Sequence, residues 1–332
     1  MDNSQDKYRQ VRYERRRKKK IYRLAMVCTL FLICCGLIAF ITYKIFNPSL
    51  IKGNDLRDEV VFINEKDNVS KDSNTIPEET NTISENIDTT DTISVDDYSM
   101  DIPNRDELID LTNDYPDLKE ILKNSNNYPD DLLELILRNP ETIDFVKNFP
   151  TKYPTTGKEE YIDITDDYKD GKIPHFLQWD QRWGYYNYGN SPIALSGCGP
   201  TALSMVIVGL TGNTDKNPKV VSDFSYEKGY YVDGAGTSWT LMSEGAEALG
   251  LKSKVLPLDE NIIKSNLRDG KPIIVSVRKG DFTTTGHFII LTGVTDEGKI
   301  TVNDPNSISR SNKEWDIDVL MGQINNLWAF SV

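Results

Sequence analysis

Very few residues in this chain have the type and spacing for covalent chemistry. Cys198 lies in Ser196-Gly197-Cys198-Gly199-Pro200-Thr201, and it is the only cysteine outside the apolar run near the N-terminus, which holds Cys28, Cys34 and Cys35. The apolar stretch that follows predicts a helix over 199–210, closed by the Thr211-Gly212-Asn213 turn. A thiol at a helix mouth meets the positive end of the helix dipole, which favours the thiolate, the nucleophilic form. The flanking glycines read as room for a substrate to approach closely. A thiolate nucleophile calls for a general base and a third group to orient that base. The chain has two histidines. His287 opens an apolar strand after Thr283-Thr284-Thr285-Gly286, whereas His175, in Pro174-His175-Phe176, has no strand to fix it and reads as structural or surface.

Register locates a candidate for the third group. If Thr295–Gly298 is a four-residue hairpin loop, Val294 faces Lys299 and Asp304 lies opposite Ile289. That places it two residues from His287 on the same face of the sheet. A carboxylate there can hold the imidazole tautomer and stabilise the imidazolium. A three-residue loop would put Asp304 on the other face, and a turn residue ahead of Pro305 is the structural alternative. An oxyanion needs donors: the backbone N–H of Cys198 is one, and Gln178 and Gln181 in Leu177-Gln178-Trp179-Asp180-Gln181-Arg182-Trp183 are side-chain amides placed upstream to supply another.

The elements that must position these groups follow from periodicity. Further helices are predicted over 240–249 and 260–268, and strands over 272–277, 287–294 and 299–303, each strand rich in Ile, Val and Thr. Helices first and an antiparallel sheet second make the 161–332 domain α+β. Upstream, 106–155 holds short amphipathic pieces punctuated by Pro116, Pro129, Pro140 and Pro150, where a proline followed by an acid reads as a helix start signal. They make a small helical segment that packs on the next domain or serves as a recognition module. Residues 47–105 read as a disordered acidic stalk, with too little apolar surface over 64–100 to offset the entropy of ordering.

Charge and composition narrow the function classes. The 332 residues carry 38 Lys and Arg against 51 Asp and Glu, a net −13. Residues 1–46 hold 11 of the bases and 3 of the acids, so the body is strongly acidic, which speaks against nucleic-acid binding. Two histidines and four cysteines leave little from which to build a zinc site, so neither metal nor cofactor is expected. Residues 24–46 have the length and apolarity of a membrane-crossing helix, with Lys44 as the only charge. The run is too long for a signal peptide and lacks a clear small-residue cleavage site. The basic segment 1–23, with Arg15-Arg16-Arg17-Lys18-Lys19-Lys20, orients it: N-terminus cytoplasmic, single pass, everything after Pro48 outside the cell.

Taken in order, QWDQRWGYYNYG, SGCGPTALSMVIVGLTG, GTSWTLMSEGAEALGL, KPIIVSVRKGDFTTTGHFIILTGV and ITVNDPNS resemble the C39-like, bacteriocin-leader-peptidase-like branch of papain-fold cysteine peptidases, over about 161–332. The resemblance implies a papain-like fold and a thiol peptidase, with Cys198 as nucleophile, His287 as base and acid, Asp304 as orienter and Gln178 as oxyanion donor. Members of this kind are often bacterial surface proteins, in keeping with the anchor. The chain departs from transporter-fused leader peptidases in having one span and no G-x-x-x-x-G-K-[ST] loop. No ATP and no ATPase domain are therefore expected, and bacteriocin maturation is not implied. The substrate class is a peptide. The alternatives are a peptidoglycan-like substrate for a cell-wall amidase or endopeptidase, since NlpC/P60-like and CHAP-like domains share the Cys-His logic, and a non-catalytic binding module of the same fold.

Overall fold

In a computed structural model of the chain, residues 98–155 and 161–332 are described. The basic segment 1–23, the apolar span 24–46 and the acidic segment up to residue 97 lie outside them. Among the described residues no helix is long and apolar enough to cross a membrane.

Four short helices come first: α1 (Arg105–Leu111), α2 (Leu118–Lys123), α3 (Asp130–Arg138) and α4 (Ile143–Lys152). Tyr98 and Ile102 are already buried, so ordered packing begins before residue 106. In α3, Pro129 caps the start in an extended conformation, Asp130 and Asp131 occupy the first turn and Arg138 the last, charges that suit the helix dipole at both ends. Its apolar stripe of Leu132, Leu133, Leu135 and Ile136 is buried. Helix α4 runs through Pro150 and ends two residues later.

The 161–332 region is α+β. It contains α5 (Cys198–Thr211), α6 (Pro218–Glu227) and α7 (Glu260–Arg268). Its sheet is built from β1 (Lys252–Val255), β2 (Ile273–Arg278), β3 (Gly286–Val294), β4 (Ile300–Asn303), β5 (Glu314–Trp315) and β6 (Ile324–Ser331). The spatial order is β1-β6-β2-β3-β4-β5, antiparallel throughout, with the last strand inserted between the first two. The two sheet faces separate two cores. Ile274, Phe288, Ile290, Trp328 and Phe330 pack with Ala202, Leu203, Met205 and Val206 of α5. On the other face Ile273, Val275, Ile289, Leu291 and Val302 pack with Ile263 and Leu267 of α7. A helix buried on all sides is apolar all round, which is why α5 shows no polar face through its first three turns. It stops at Gly212, whose φ of 68° is open to glycine without strain.

Three differences from the sequence-based expectations have physical reasons. The single helix predicted over 240–249 is a 3-10 turn (Trp239–Met242) and a short helix (Glu244–Ala248), separated at Ser243, where ψ is −86°. Ser243 Oγ bonds back to the Thr240 carbonyl, the local competition by which serine interrupts helices. The helix α6, unassigned from sequence, is started by Asn217, whose side chain accepts from the Val220 N–H at 3.1 Å, with Pro218 at its first position. The edge strand β1 and the C-terminal strand β6 were also unassigned, the latter because Asn325-Asn326 interrupts its apolar run.

The N-terminal helices join the larger domain through aromatic packing. Phe145 of α4 stacks on Tyr185 at 4.3 Å between ring centroids, and the Tyr185 hydroxyl donates to the Phe145 carbonyl at 2.9 Å. A Cβ on Gly184 would come within 2.7 Å of the Phe145 ring, so this glycine is set by the close approach of the helix. Phe145→Ala is therefore expected to cost ~3–5 kcal/mol, a buried aromatic ring removed from a close-packed site. Chemical denaturation measures it, and a loss below ~1 kcal/mol would mean the helices are held elsewhere.

Candidate active site

Cys198 is the first residue of α5, preceded by Gly197 as its N-cap. Both glycines beside it are dictated by the protein's own packing rather than by room for a substrate. A Cβ at Gly197 would lie 2.7 Å from the Ile193 carbonyl oxygen, and one at Gly199 would lie 2.8 Å from the Thr237 side chain. The thiol thus emerges from a turn pressed between two segments, with the unpaired N–H groups of the first helical turn beside it.

His287 sits near the start of β3, paired with Val277 of β2. Its Nε2 is 2.7 Å from Asp304 Oδ1, which leaves Nδ1 as the ring nitrogen open to a second partner, and Cys198 lines the same cleft as the ring. The register that brings Asp304 there is not the simple one. The hairpin takes the three-residue alternative, with the Thr295 N–H donating to the Lys299 carbonyl at 2.8 Å and Val294 paired to Ile300. Carried down the strands, that shift would move Asp304 to the wrong face. A bulge at Thr292 takes the residue back, so that Leu291 pairs with Val302 and Ile290 with Asn303. Asp304 is also a turn residue, bridged to Ser307, so the two readings of it hold together.

The carboxylate of Asp304 is fully buried and shared. Besides His287, Oδ1 accepts from the Asn306 N–H at 2.8 Å, and Oδ2 accepts from Arg310 Nε at 2.6 Å. Burial opposes its charge, but the facing His287 and then Arg310 overcome that and hold the carboxyl below its usual range. Burial likewise opposes protonation of His287. The Asp304 carboxylate outweighs it, the Cys198 contact adds to it, and the imidazole is pushed up to about 10. A pair of this kind keeps the imidazolium through neutral pH and can neutralise a thiolate beside it.

Cys198 and His287 open onto a cleft of about 260 Å³ together with Gln178, Leu195, the 280–286 loop, Asn306 and Arg310. Gln178 is buried in its wall, its Nε2 donating to the Ala194 carbonyl at 2.7 Å and retaining a second hydrogen. Gln181 is exposed and takes Lys152 Nζ on its Oε1 at 2.7 Å, outside the cleft lining. His175 is structural: its Nε2 donates to the backbone carbonyl of Asp304 at 2.8 Å. Sequence reasoning missed Arg310, for which no local pattern exists, and missed Leu135 and Arg138 of α3, which also line the cleft. Among the described residues no cluster of His, Cys, Asp and Glu could hold a metal ion.

A cysteine at the head of a buried helix, facing a His–Asp pair on an antiparallel sheet in an α+β domain, defines a site of cysteine-peptidase type. Residues 171–330, close to half of the chain, match the Peptidase_C39 like family, and this domain belongs to that family. No curated protein matches the chain.

The shifts of the pair fix a pH dependence for stability. Asp304, lowered, stabilises the fold above its ordinary value near 3.8, and that contribution is lost as pH falls through its folded value. His287, raised, contributes fully below its ordinary 6.5 and progressively less as pH rises toward about 10. Asp304→Asn should therefore destabilise most between about pH 4 and 6.5, with the gap narrowing at pH 10. Urea titrations of both proteins at pH 5.5 and 10 measure this, and a gap independent of pH would contradict the ion pair.

Proposed function

We propose that this chain is a membrane-anchored cysteine peptidase of papain-like fold that cleaves peptide amide bonds through an acyl-enzyme on Cys198. The observation that carries the reading is the hydrogen-bonded His287–Asp304 pair sharing one cleft with Cys198, the first residue of α5. In this reading the Cys198 thiolate attacks the substrate carbonyl carbon. The oxyanion is met by the Cys198 N–H and by the free hydrogen of Gln178 Nε2. His287, protonated and held in its tautomer by Asp304, gives its proton to the departing amine as the C–N bond breaks. Water then attacks the thioester and His287 takes a proton from it. The C–S bond breaks and the acid leaves. The apolar span 24–46 behind a basic cluster supports placing the catalytic domain outside the cell, tethered by the acidic segment.

Two outcomes test this. Iodoacetamide should alkylate Cys198 at pH 6 faster than a free thiol of pKa ~8.5, and His287→Ala should remove most of that advantage. Cys198→Ala should leave a folded protein with no peptide hydrolysis. A Cys198 that follows an ordinary thiol titration would overturn the thiolate–imidazolium mechanism. For topology, protease shaving of intact cells should remove a C-terminal tag. A tag that survives shaving and is digested only after lysis would reverse the orientation.

A further inference from the structure

The turn between α3 and α4 grips the loop that carries Asp304. Asn139 is buried, and its Nδ2 donates to the Asn306 carbonyl. Two residues on, the Glu141 carboxylate takes three donors from the same loop: the Ile308 N–H at 2.7 Å, the Ser309 N–H at 2.8 Å and the Ser307 hydroxyl at 3.2 Å. Ser307 in turn caps Arg310 N–H at 3.2 Å, and Arg310 and Asn306 hold the two oxygens of Asp304. Trp179 Nε1 donates to the Asn306 carbonyl as well, at 3.0 Å. This chain of contacts runs unbroken from Glu141 through the 306–310 loop to Asp304 and His287, and it crosses more than 160 residues of sequence. Its first link lies outside the family-matching region, which begins at residue 171. The same helical segment walls the cleft with Leu135 and Arg138.

We propose that the Asn139–Glu141 turn is a positioning device for the Asp304–His287 pair, with Glu141 as its positioning residue, so that the site of this domain is complete only with the preceding helices in place. The inference rests on the reading of Cys198 and His287 as a peptidase pair. Charged backbone-capping contacts of this kind fix loops because a carboxylate accepting several N–H donors is hard to replace with water at equal geometry. If the grip fails, the 306–310 loop loosens, Asp304 is less firmly aimed at His287, and the imidazolium loses support. The groups facing His287 are Cys198 from α5 and Asp304 and Arg310 from the loop. Arg138 of α3 and Asp281 of the 280–286 loop share the cleft. None of these is altered by a change at Glu141, so a shift in thiolate population reports position rather than charge removal at the site.

The test is the ratio of Cys198 alkylation rates at pH 6 and pH 9 with iodoacetamide on the full-length chain, followed on the Cys198 peptide by mass spectrometry so that Cys28, Cys34 and Cys35 do not interfere. Glu141→Ala should lower that ratio measurably, by up to about tenfold, the most that one unit in the ion pair can give. Glu141→Gln, which keeps one acceptor oxygen, should lower it less. Glu107→Ala, an exposed acid in α1, should leave it unchanged. A merely structural Glu141 would lower the thermal midpoint while leaving the ratio at the wild-type value. That result in folded Glu141→Ala, or in folded Glu141→Gln if the alanine variant does not fold, would overturn the inference. If wild-type Cys198 itself titrates as an ordinary thiol, the peptidase reading falls with it, a separate and recognisable outcome.

Discussion

A fully buried carboxylate has to be compensated, and in this protein most of the site's architecture follows from how Asp304 is compensated. Left alone in the interior it would take up a proton. Instead it is met by an imidazole, a guanidinium and a backbone N–H, each within 2.8 Å. Those three partners come from three places: the start of β3, the short helix after β4, and the turn between them. Holding them together demands a bulge at Thr292, a capped helical turn at Ser307 and a histidine, His175, on the Asp304 carbonyl. Once Asp304 is ionised, His287 is held protonated in the cleft that Cys198 also lines.

The same constraint explains why the helices before the domain matter. The 306–310 loop is irregular backbone, and its N–H groups need acceptors. Glu141, Asn139 and Trp179 tie it down from outside the sheet. The Phe145–Tyr185 stack fixes the helical segment close enough for Glu141 to reach. Packing energy in one place is thereby converted into side-chain aim in another.

Much of this was legible in the sequence, for identifiable reasons. Helix α5 and strands β2 and β3 are continuous apolar runs, α7 has a clear apolar stripe, and β4 alternates buried and half-buried residues. Cys198 and His287 stood out through scarcity, since few other residues could serve. Asp304 was placed beside His287 by a register argument that assumed the wrong hairpin closure and was restored by a bulge it did not contain. The glycines around Cys198 were assigned to substrate access when Ile193 and Thr237 require them. Arg310, Glu141 and Arg138 carry no local signal: their meaning arises only when distant segments close on one another, and a single sequence does not encode that distance in any periodic way.

The central claim is that His287 is an imidazolium through neutral pH because Asp304 and Cys198 surround it. With two histidines in the chain, 15N-detected NMR of the imidazole nitrogens followed from pH 5 to 10 reads it directly, and His287→Ala assigns the signals. His287 should show both nitrogens protonated at pH 7 and should lose its proton only toward about 10. A His287 that titrates near its ordinary 6.5 in the folded protein would contradict the claim.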